Sequence, residues 1–457
     1  MTSASRPSGD ELDAIDITDS LDAEARTGRR VRPDRLLRRA ARRSSVPLPS
    51  RPAAALARRA VKAIARRTTS DRLTIVETDG TSRRYGPGGG IEATMEIRDP
   101  RAWTSLLSEG SIGLGRGYIE GWWTSDDPTA VVRVIIRNIH GLDDVRDRVT
   151  RGSGWLSNRV RQALPRAGRR QNAEDIASHY DLGNDFFRLF LDETLTYSSA
   201  IFPSAEAALA DSSQYKYDRL LTKLGVTDKH RLLEIGTGWG GFALRAVDQT
   251  GCSVTTTTIS AEQLREATSR VRRAGWANQV KLLDQDWRDL QGRFDRIVSI
   301  EMIEAVDWRD YPKYFATIDR CLERDGLVAL QAICVPDRRY ERAKNTEDFI
   351  RRFVFPGGFL PSLGAIGKAV ASNTRLQIID VEDLSAHYAE TLRQWRLRFD
   401  ERLDEVRELG LDDRFIRLWR FYLAYCEAGF AERHCTVNQI VLAGPEWRPD
   451  GLSLRPS

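Results

Sequence analysis

Residues 232–241 read LLEIGTGWGG. Leu232, Leu233 and Ile235 around Glu234 make a short buried-strand pattern, and the glycines at 236, 238 and 240 permit a turn whose backbone N–H groups come close to a ligand. A helix-compatible run over 242–247 follows. Strand, glycine turn and helix in this order open the nucleotide-binding half of a doubly wound α/β sheet. The spacing is GxGxG rather than GxGxxG, and a turn that serves packing alone reads the same way, so the neighbouring segments must decide.

Downstream, strands are expected at 254–258, 280–283, 294–300 and 326–333, with helices from Ala261 and over 311–322. Strands alternating with helices imply a mainly parallel sheet with right-handed crossovers. An insertion over 336–384, containing Phe355-Pro356-Gly357-Gly358, breaks this rhythm and is read as a lid. An arginine-rich helical stretch over 388–430 and a last strand at 439–442 close the domain. Upstream, 73–76 and the segment before Tyr85 flank Asp79-Gly80 as a hairpin, 91–97 alternates as a strand, 101–107 reads as a helix, and GLGRGYIEGWW follows at 113–123. The expected plan is a basic arm at 1–67, disordered as such charge blocks usually are; a small α+β amino-terminal domain at 68–150, read as a packing or dimerisation unit; a basic linker at 151–171; a doubly wound, Rossmann-like α/β domain at 172–445; and a tail at 446–457.

The net charge of +5 hides an uneven distribution: residues 10–24 hold seven acids, whereas 29–67 is crowded with arginine and has Asp34 as its single acid. Such blocks are usually solvated, but they also attract phosphate, on an anionic lipid surface or on nucleic acid. Leu36, Leu37, Ala40 and Ala41, then Ala54, Leu56, Ala57, Val61 and Ile64, recur near helical spacing among the arginines, which suits a helix lying on a membrane. No apolar run approaches the roughly 18 residues of a membrane span. Five cysteines without CxxC spacing indicate neither a disulfide framework nor a metal site, and a cytoplasmic protein is expected.

Thr257-Thr258-Ile259-Ser260 stands where a doubly wound domain usually keeps an acid for a ribose. Asp286-Trp287, after the third strand, offers a carboxylate and a ring. The fourth strand ends in SIEMIE, so Glu301 and Glu304 lie at the carboxyl end of a parallel strand, beside the ligand crevice. Helix capping or exposure is the alternative account of them.

HYDLGNDFFRLFLDETLTYSSAIF, LLEIGTGWGG, TTISAEQ, DQDWRDL, FDRIVSIEMIEAV, DFIRRFVFPGGFLPS and YCEAGF follow one another in this order. Together they resemble the cyclopropane-fatty-acyl-phospholipid synthase family of S-adenosylmethionine-dependent methyltransferases, over about residues 172–443, and 70–145 resembles that family's amino-terminal domain. The fold so implied is a class I methyltransferase domain, and TIS in place of the ribose acid is the family's own pattern. The resemblance implies that Tyr197, Ser198, Gly236, Gly238, Gln263, Asp286 and Trp287 contact the cofactor. It places Glu304 on a glutamate that helps hold a bicarbonate ion, the family's general base, Ile333 on a backbone contributor to that ion's site, and Cys426 on an active-site cysteine. Three positions depart from the family: Ser199 stands for cysteine, Gln331 for histidine and Arg396 for tyrosine, which puts bicarbonate use in question.

The family methylates the cis double bond of an acyl chain in a membrane phospholipid and then removes a proton. Attack by an alkene leaves a carbocation, so water must be excluded and aromatic faces help. Phe186, Phe187, Phe190, Tyr197, Phe202, Phe353 and Phe355 are candidates, at least half of them as plain core. SIEMIEAV, QAI and FIRRFVFPGG also resemble the actinobacterial methyltransferases that begin tuberculostearic (10-methyl) acid synthesis. A methylene branch, which requires a partner reductase, and a cyclopropane ring both stay open, with the lean to the branch. The implied setting is peripheral, at the inner face of an anionic membrane, with a homo-oligomer conceivable and no nucleic acid. The competing reading is a nucleic-acid or protein methyltransferase that holds its substrate by the arm. Of the two acids, Glu304 is expected to be the critical one and Glu301 the milder.

Overall fold

The computed structural model describes residues 48–66, 70–138 and 182–449. Its larger sheet has seven strands: β5 (Arg231–Ile235), β6 (Ser253–Thr258), β7 (Val280–Asp284), β8 (Phe294–Ile300), β9 (Leu322–Cys334), β10 (Gln377–Asp383) and β11 (Thr436–Ala443), in the order β10-β11-β9-β8-β5-β6-β7. β5 pairs in parallel with both β6 and β8, so the strand order reverses direction at β5 and opens a crevice at the carboxyl ends. β11 enters antiparallel to β9 and β10 antiparallel to β11. This is the doubly wound α/β domain expected.

Alternation along the strands explains why both faces are covered. Leu233, Ile297, Val328 and Leu442 point into one core with Tyr314, Phe315 and Ile318 of the Tyr311–Cys321 helix. Leu232, Val298, Leu327 and Val441 point into another, against Leu220, Leu224 and Phe242. The insertion is more than a lid: residues 377–383, expected to be part of it, form edge strand β10, and the Leu363–Asn373 helix buries Ile366 and Val370 beneath the sheet.

The smaller sheet contains β1 (Arg72–Val76), β2 (Ser82–Tyr85), β3 (Glu92–Ile97) and β4 (Trp123–Thr124), in the order β2-β1-β3-β4. The hairpin and the strand expected there are all present. GLGRGYIEGWW supplies most of a helix, Ser111–Ile119, whose glycines allow close contact: a Cβ on Gly115 would lie 2.2 Å from the Phe349 ring, and one on Gly113 1.9 Å from the Ser105 carbonyl oxygen. That packing overrides the weak helix propensity of glycine.

This module shares its core with the larger α/β domain. Tyr118 and Trp123 pack on Phe421, Thr129 donates to Glu427 at 3.3 Å, and Arg133 and Arg137 each bind Glu432 at 2.7 Å. All described residues belong to one compact unit. The arm needs a correction as well, since Arg51–Ala65 is a helix whose Ala57, Val61 and Ala65 are buried on the module, with Lys62 paired to Glu77. Ala57, Val61 and Ala65 are therefore used on protein, and of the stripe's residues Leu56 is left exposed. The rest of the arm up to residue 47 and the expected linker at 151–171 lie outside the described residues.

Candidate active site

At the exit of β5 the chain turns through Gly236, Gly238 and Gly240 with φ of 100°, 51° and 84°. The amides of Gly236 and Thr237 both donate to the Thr257 carbonyl, at 3.1 and 3.0 Å, which fastens the turn to β6. A Cβ on Gly236 would lie 2.9 Å from Met302 Cγ. Above this turn is a cavity of about 180 Å³, and all seven residues expected to contact the cofactor line it: Tyr197, Ser198, Gly236, Gly238, Gln263, Asp286 and Trp287.

Local sequence fixes several of these. Ser260 caps the Ala261–Arg273 helix through the Gln263 amide, and the Gln263 side chain accepts from Thr258 Oγ1 at 3.0 Å. Asp286 caps the turn that follows it and pairs with Arg288 at 3.0 Å, while the Arg288 guanidinium stacks 4.4 Å over the Trp287 ring. Where the usual ribose acid is missing, Thr256 donates to Glu234 at 2.6 Å, and burial pushes the Glu234 carboxyl up to about 8. The glycine turn, the ring and the polar groups suit a nucleoside carrying an amino-acid chain.

The two glutamates after β8 are placed differently. Glu301 lines the cavity; Glu304 does not. Glu301 Oε1 accepts from the Ser199 amide and from Gln331 Nε2, both at 2.8 Å, and Oε2 accepts from the Tyr388 hydroxyl at 2.8 Å. Gln331 is held in turn by Gln439, whose Nε2 donates to Gln331 Oε1 at 3.1 Å. Burial raises the Glu301 carboxyl, opposed by Lys216 and these donors, and burial together with Glu301 keeps the Tyr388 phenol protonated. Lys216 is fully buried, donates to Ser198 Oγ at 2.6 Å, and is pushed by burial down to about 8.

Glu304 has one donor, the Ile333 amide on Oε1, and its buried Oε2 has no hydrogen-bond partner among the described residues. Burial first, and the Glu301 charge second, push it up to about 8. Both carboxyls are raised by burial, but Glu301 has three donors and Lys216 acting against that rise, whereas Glu304 has the Ile333 amide. The sequence makes Glu304 the critical acid, whereas the larger set of donors and the place in the cavity lining belong to Glu301. Glu304→Gln imitates a form already populated at neutral pH, so turnover should stay within about tenfold of the parent; a collapse of turnover in labelled-methyl assays would show that Glu304 acts as an anion.

Ser199, Gln331 and Ile333 thus gather around the two glutamates. Arg396 does not: it is bound to Glu427 at 2.8 Å. The tyrosine at this site is Tyr388, one of the residues the sequence did not single out, on the same Ser385–Glu401 helix. Cys426 lies on the Asp413–Ala431 helix outside the cavity lining, and burial holds its thiol well above the ordinary range. Phe186, Phe187 and Phe190 are fully buried among Phe399, Phe415 and Trp419, and so are core. Tyr197 borders the cavity, touching Phe187, Trp395 and Phe355 and sharing a 2.9 Å hydroxyl contact with Tyr422.

Residues 167–440 match the family model described as mycolic acid cyclopropane synthetase. The chain belongs to this family. It is 39% identical over 406 residues to a tuberculostearic acid methyltransferase of Mycobacterium tuberculosis, covering 86% of this chain and 93% of the relative. To the cyclopropane-fatty-acyl-phospholipid synthase of Escherichia coli it is 32% identical over 363 residues, covering 78% and 89%. A mycolic acid cyclopropane synthase crystallised with SAH and CTAB superposes with a TM-score of 0.56 at 31% identity, over 59% of this chain and 98% of that one. The chain is accordingly an S-adenosylmethionine-dependent carbon methyltransferase, as its motifs implied.

Proposed function

We propose that the protein methylates the cis double bond of an unsaturated acyl chain in a membrane phospholipid and yields a methylene-branched chain. The observation that carries the product is the greater identity, over more of the chain, to the tuberculostearic acid methyltransferase than to the phospholipid cyclopropane synthase. The cavity lined by the glycine turn, Gln263, Asp286 and Trp287 suits S-adenosylmethionine, and a Cβ on Gly236 would already press on Met302 of the lining. When bound, it supplies the methyl group as an electrophile. Tyr197 and Ser198 line the cavity, and the rings packed on Tyr197 keep water from a cation on the acyl chain. Bicarbonate does not fit equally well: the Glu301 carboxylate already occupies the donors of Ser199 and Gln331 that would hold it. A separate reductase would turn the methylene into a methyl branch.

Expression in a host rich in oleoyl phospholipid provides the test. Mass spectrometry should show acyl chains heavier by one CH2, and proton NMR should show a C=CH2 group. Ring signals alone would assign the cyclopropane product; unmodified chains would overturn the reading.

No helix among the described residues is long and apolar enough to cross a membrane. Lipid contact is therefore assigned to the basic arm and to the exposed Leu48 and Leu56. Each basic residue near an anionic bilayer contributes about 1 kcal/mol, weakened by salt. Removal of residues 1–47, which spares the packed helix, should lower co-sedimentation with anionic vesicles while cofactor affinity is unchanged. Equal sedimentation of both forms would reduce the arm to a solvated tail.

A further inference from the structure

We infer that Glu301 is the proton acceptor of the reaction, a carboxylate built into the chain at the place where a free anion would otherwise be bound. The inference rests on the methyl-transfer reading above and names the base within it.

Backbone geometry comes first. Glu301 has φ of 49°, in the left-handed region, and its amide donates to the Gln331 carbonyl at 2.7 Å. A glutamate in this conformation is strained by roughly 1–3 kcal/mol, and such strain persists only where the surroundings hold it. Here it turns the side chain out of the strand direction and into the cavity, next to Gly236 and Met302.

The carboxylate then collects donors from three separate parts of the chain: the Ser199 amide, Gln331 on β9 and Tyr388 on the Ser385–Glu401 helix. Backbone N–H, side-chain amide and phenol are all neutral donors, the kind that suit an anion with two or three oxygens. Oε1 takes two of them and Oε2 only one, so Oε2 keeps a lone pair. Buried Lys216, fixed on Ser198 Oγ, places a cation that favours the charged form of Glu301 against burial, whereas Glu304 has the Ile333 amide and an oxygen with no hydrogen-bond partner among the described residues.

The bond changes balance without any outside base. The methyl carbon exchanges its bond to the sulfonium for one to an alkene carbon, which leaves the neighbouring carbon cationic. A hydride moves from the methylated carbon to that neighbour. A C–H bond of the new methyl gives its electron pair to the C=CH2 bond, and the proton passes to Oε2 of Glu301, which releases it to solvent as product leaves.

The test compares the parent with Glu301→Gln and Glu301→Gly, measuring methyl incorporation into oleoyl phospholipid in bicarbonate-free and bicarbonate-containing buffer, with cofactor affinity by calorimetry. The parent should be indifferent to bicarbonate. Glu301→Gln should bind the cofactor yet lose turnover by a factor on the order of a hundred or more. Glycine relieves the backbone at φ of 49° and opens the cage, so Glu301→Gly should fold and gain turnover when bicarbonate or formate is added. A merely structural glutamate would show no such rescue. A parent that stops when bicarbonate is removed, or Glu301→Gln turning over near the parental rate, overturns the assignment alone. A parent that binds the cofactor but methylates no lipid overturns the reading of function, and this assignment with it.

Discussion

Gly236→Val is expected to abolish S-adenosylmethionine binding and leave the fold standing. Two independent effects act at this residue. Its φ of 100° lies in a region that a β-branched side chain does not adopt without strain, and the first side-chain carbon would already sit 2.9 Å from Met302 Cγ. Moving Met302 would disturb Glu301 beside it, so relief in one direction damages the site in another. The added methyls would also occupy the floor of the cavity. Gly238 is the control: φ is 51° there, but a Cβ would meet nothing within 4 Å, so Gly238→Ala should bear only the left-handed cost of roughly 1–2 kcal/mol. Calorimetry should find no binding by Gly236→Val and weakened binding by Gly238→Ala, with both unfolding cooperatively. Undiminished affinity in Gly236→Val would place the cofactor elsewhere.

That this turn could be located from sequence has a physical reason: strand, turn and helix are contiguous there, and each follows from residues a few positions apart. The same holds for Asp286-Trp287 and Ser260 to Gln263, which are local caps at strand ends. What sequence did not disclose depends on contacts between distant segments. Tyr388 and Arg396 lie eight residues apart on one helix, about 12 Å along its axis, and only the packing of that helix against β11, the Asp413–Ala431 helix and the 197–202 segment decides which of them meets Glu301. Glu301 and Glu304 are indistinguishable as letters; a single positive φ sends one into the cavity. β10 escaped notice because it is an edge strand with Ile378, Ile379 and Val381 all exposed, so it lacks the alternation of a half-buried strand. The helix at 51–65 shows its apolar stripe plainly, but a stripe does not reveal whether lipid or protein covers it.

Lys216 was equally hidden, as one basic residue on the Leu209–Leu224 helix, and its replacement should be among the most destabilising single changes in the chain. Its amine is fully buried on Ser198 Oγ and lies near the acids Glu301, Asp192 and Glu234. Lys216→Met keeps the length and the apolar stem but leaves those acids without their cation, and removing one partner from a buried charge cluster typically costs roughly 3–5 kcal/mol. The sign of the pH dependence separates lost charge from lost packing. Burial already lifts Glu234 from the ordinary 4.5 to about 8, and Glu301 upward, with Lys216 opposing both shifts. Without Lys216 the folded acids hold their protons more tightly still, while the unfolded chain is unaffected. A group whose folded pKa is raised contributes stability that is present below its unfolded pKa and is lost as pH rises through the folded one. The deficit of Lys216→Met relative to the parent should therefore stay level while Glu234 is protonated in both folded proteins and grow as pH rises above about 8, the parent's folded value for Glu234. Denaturant unfolding of both proteins across that window measures it. A deficit that stays constant with pH would mean that Lys216 acts through packing alone and that another group keeps Glu301 charged.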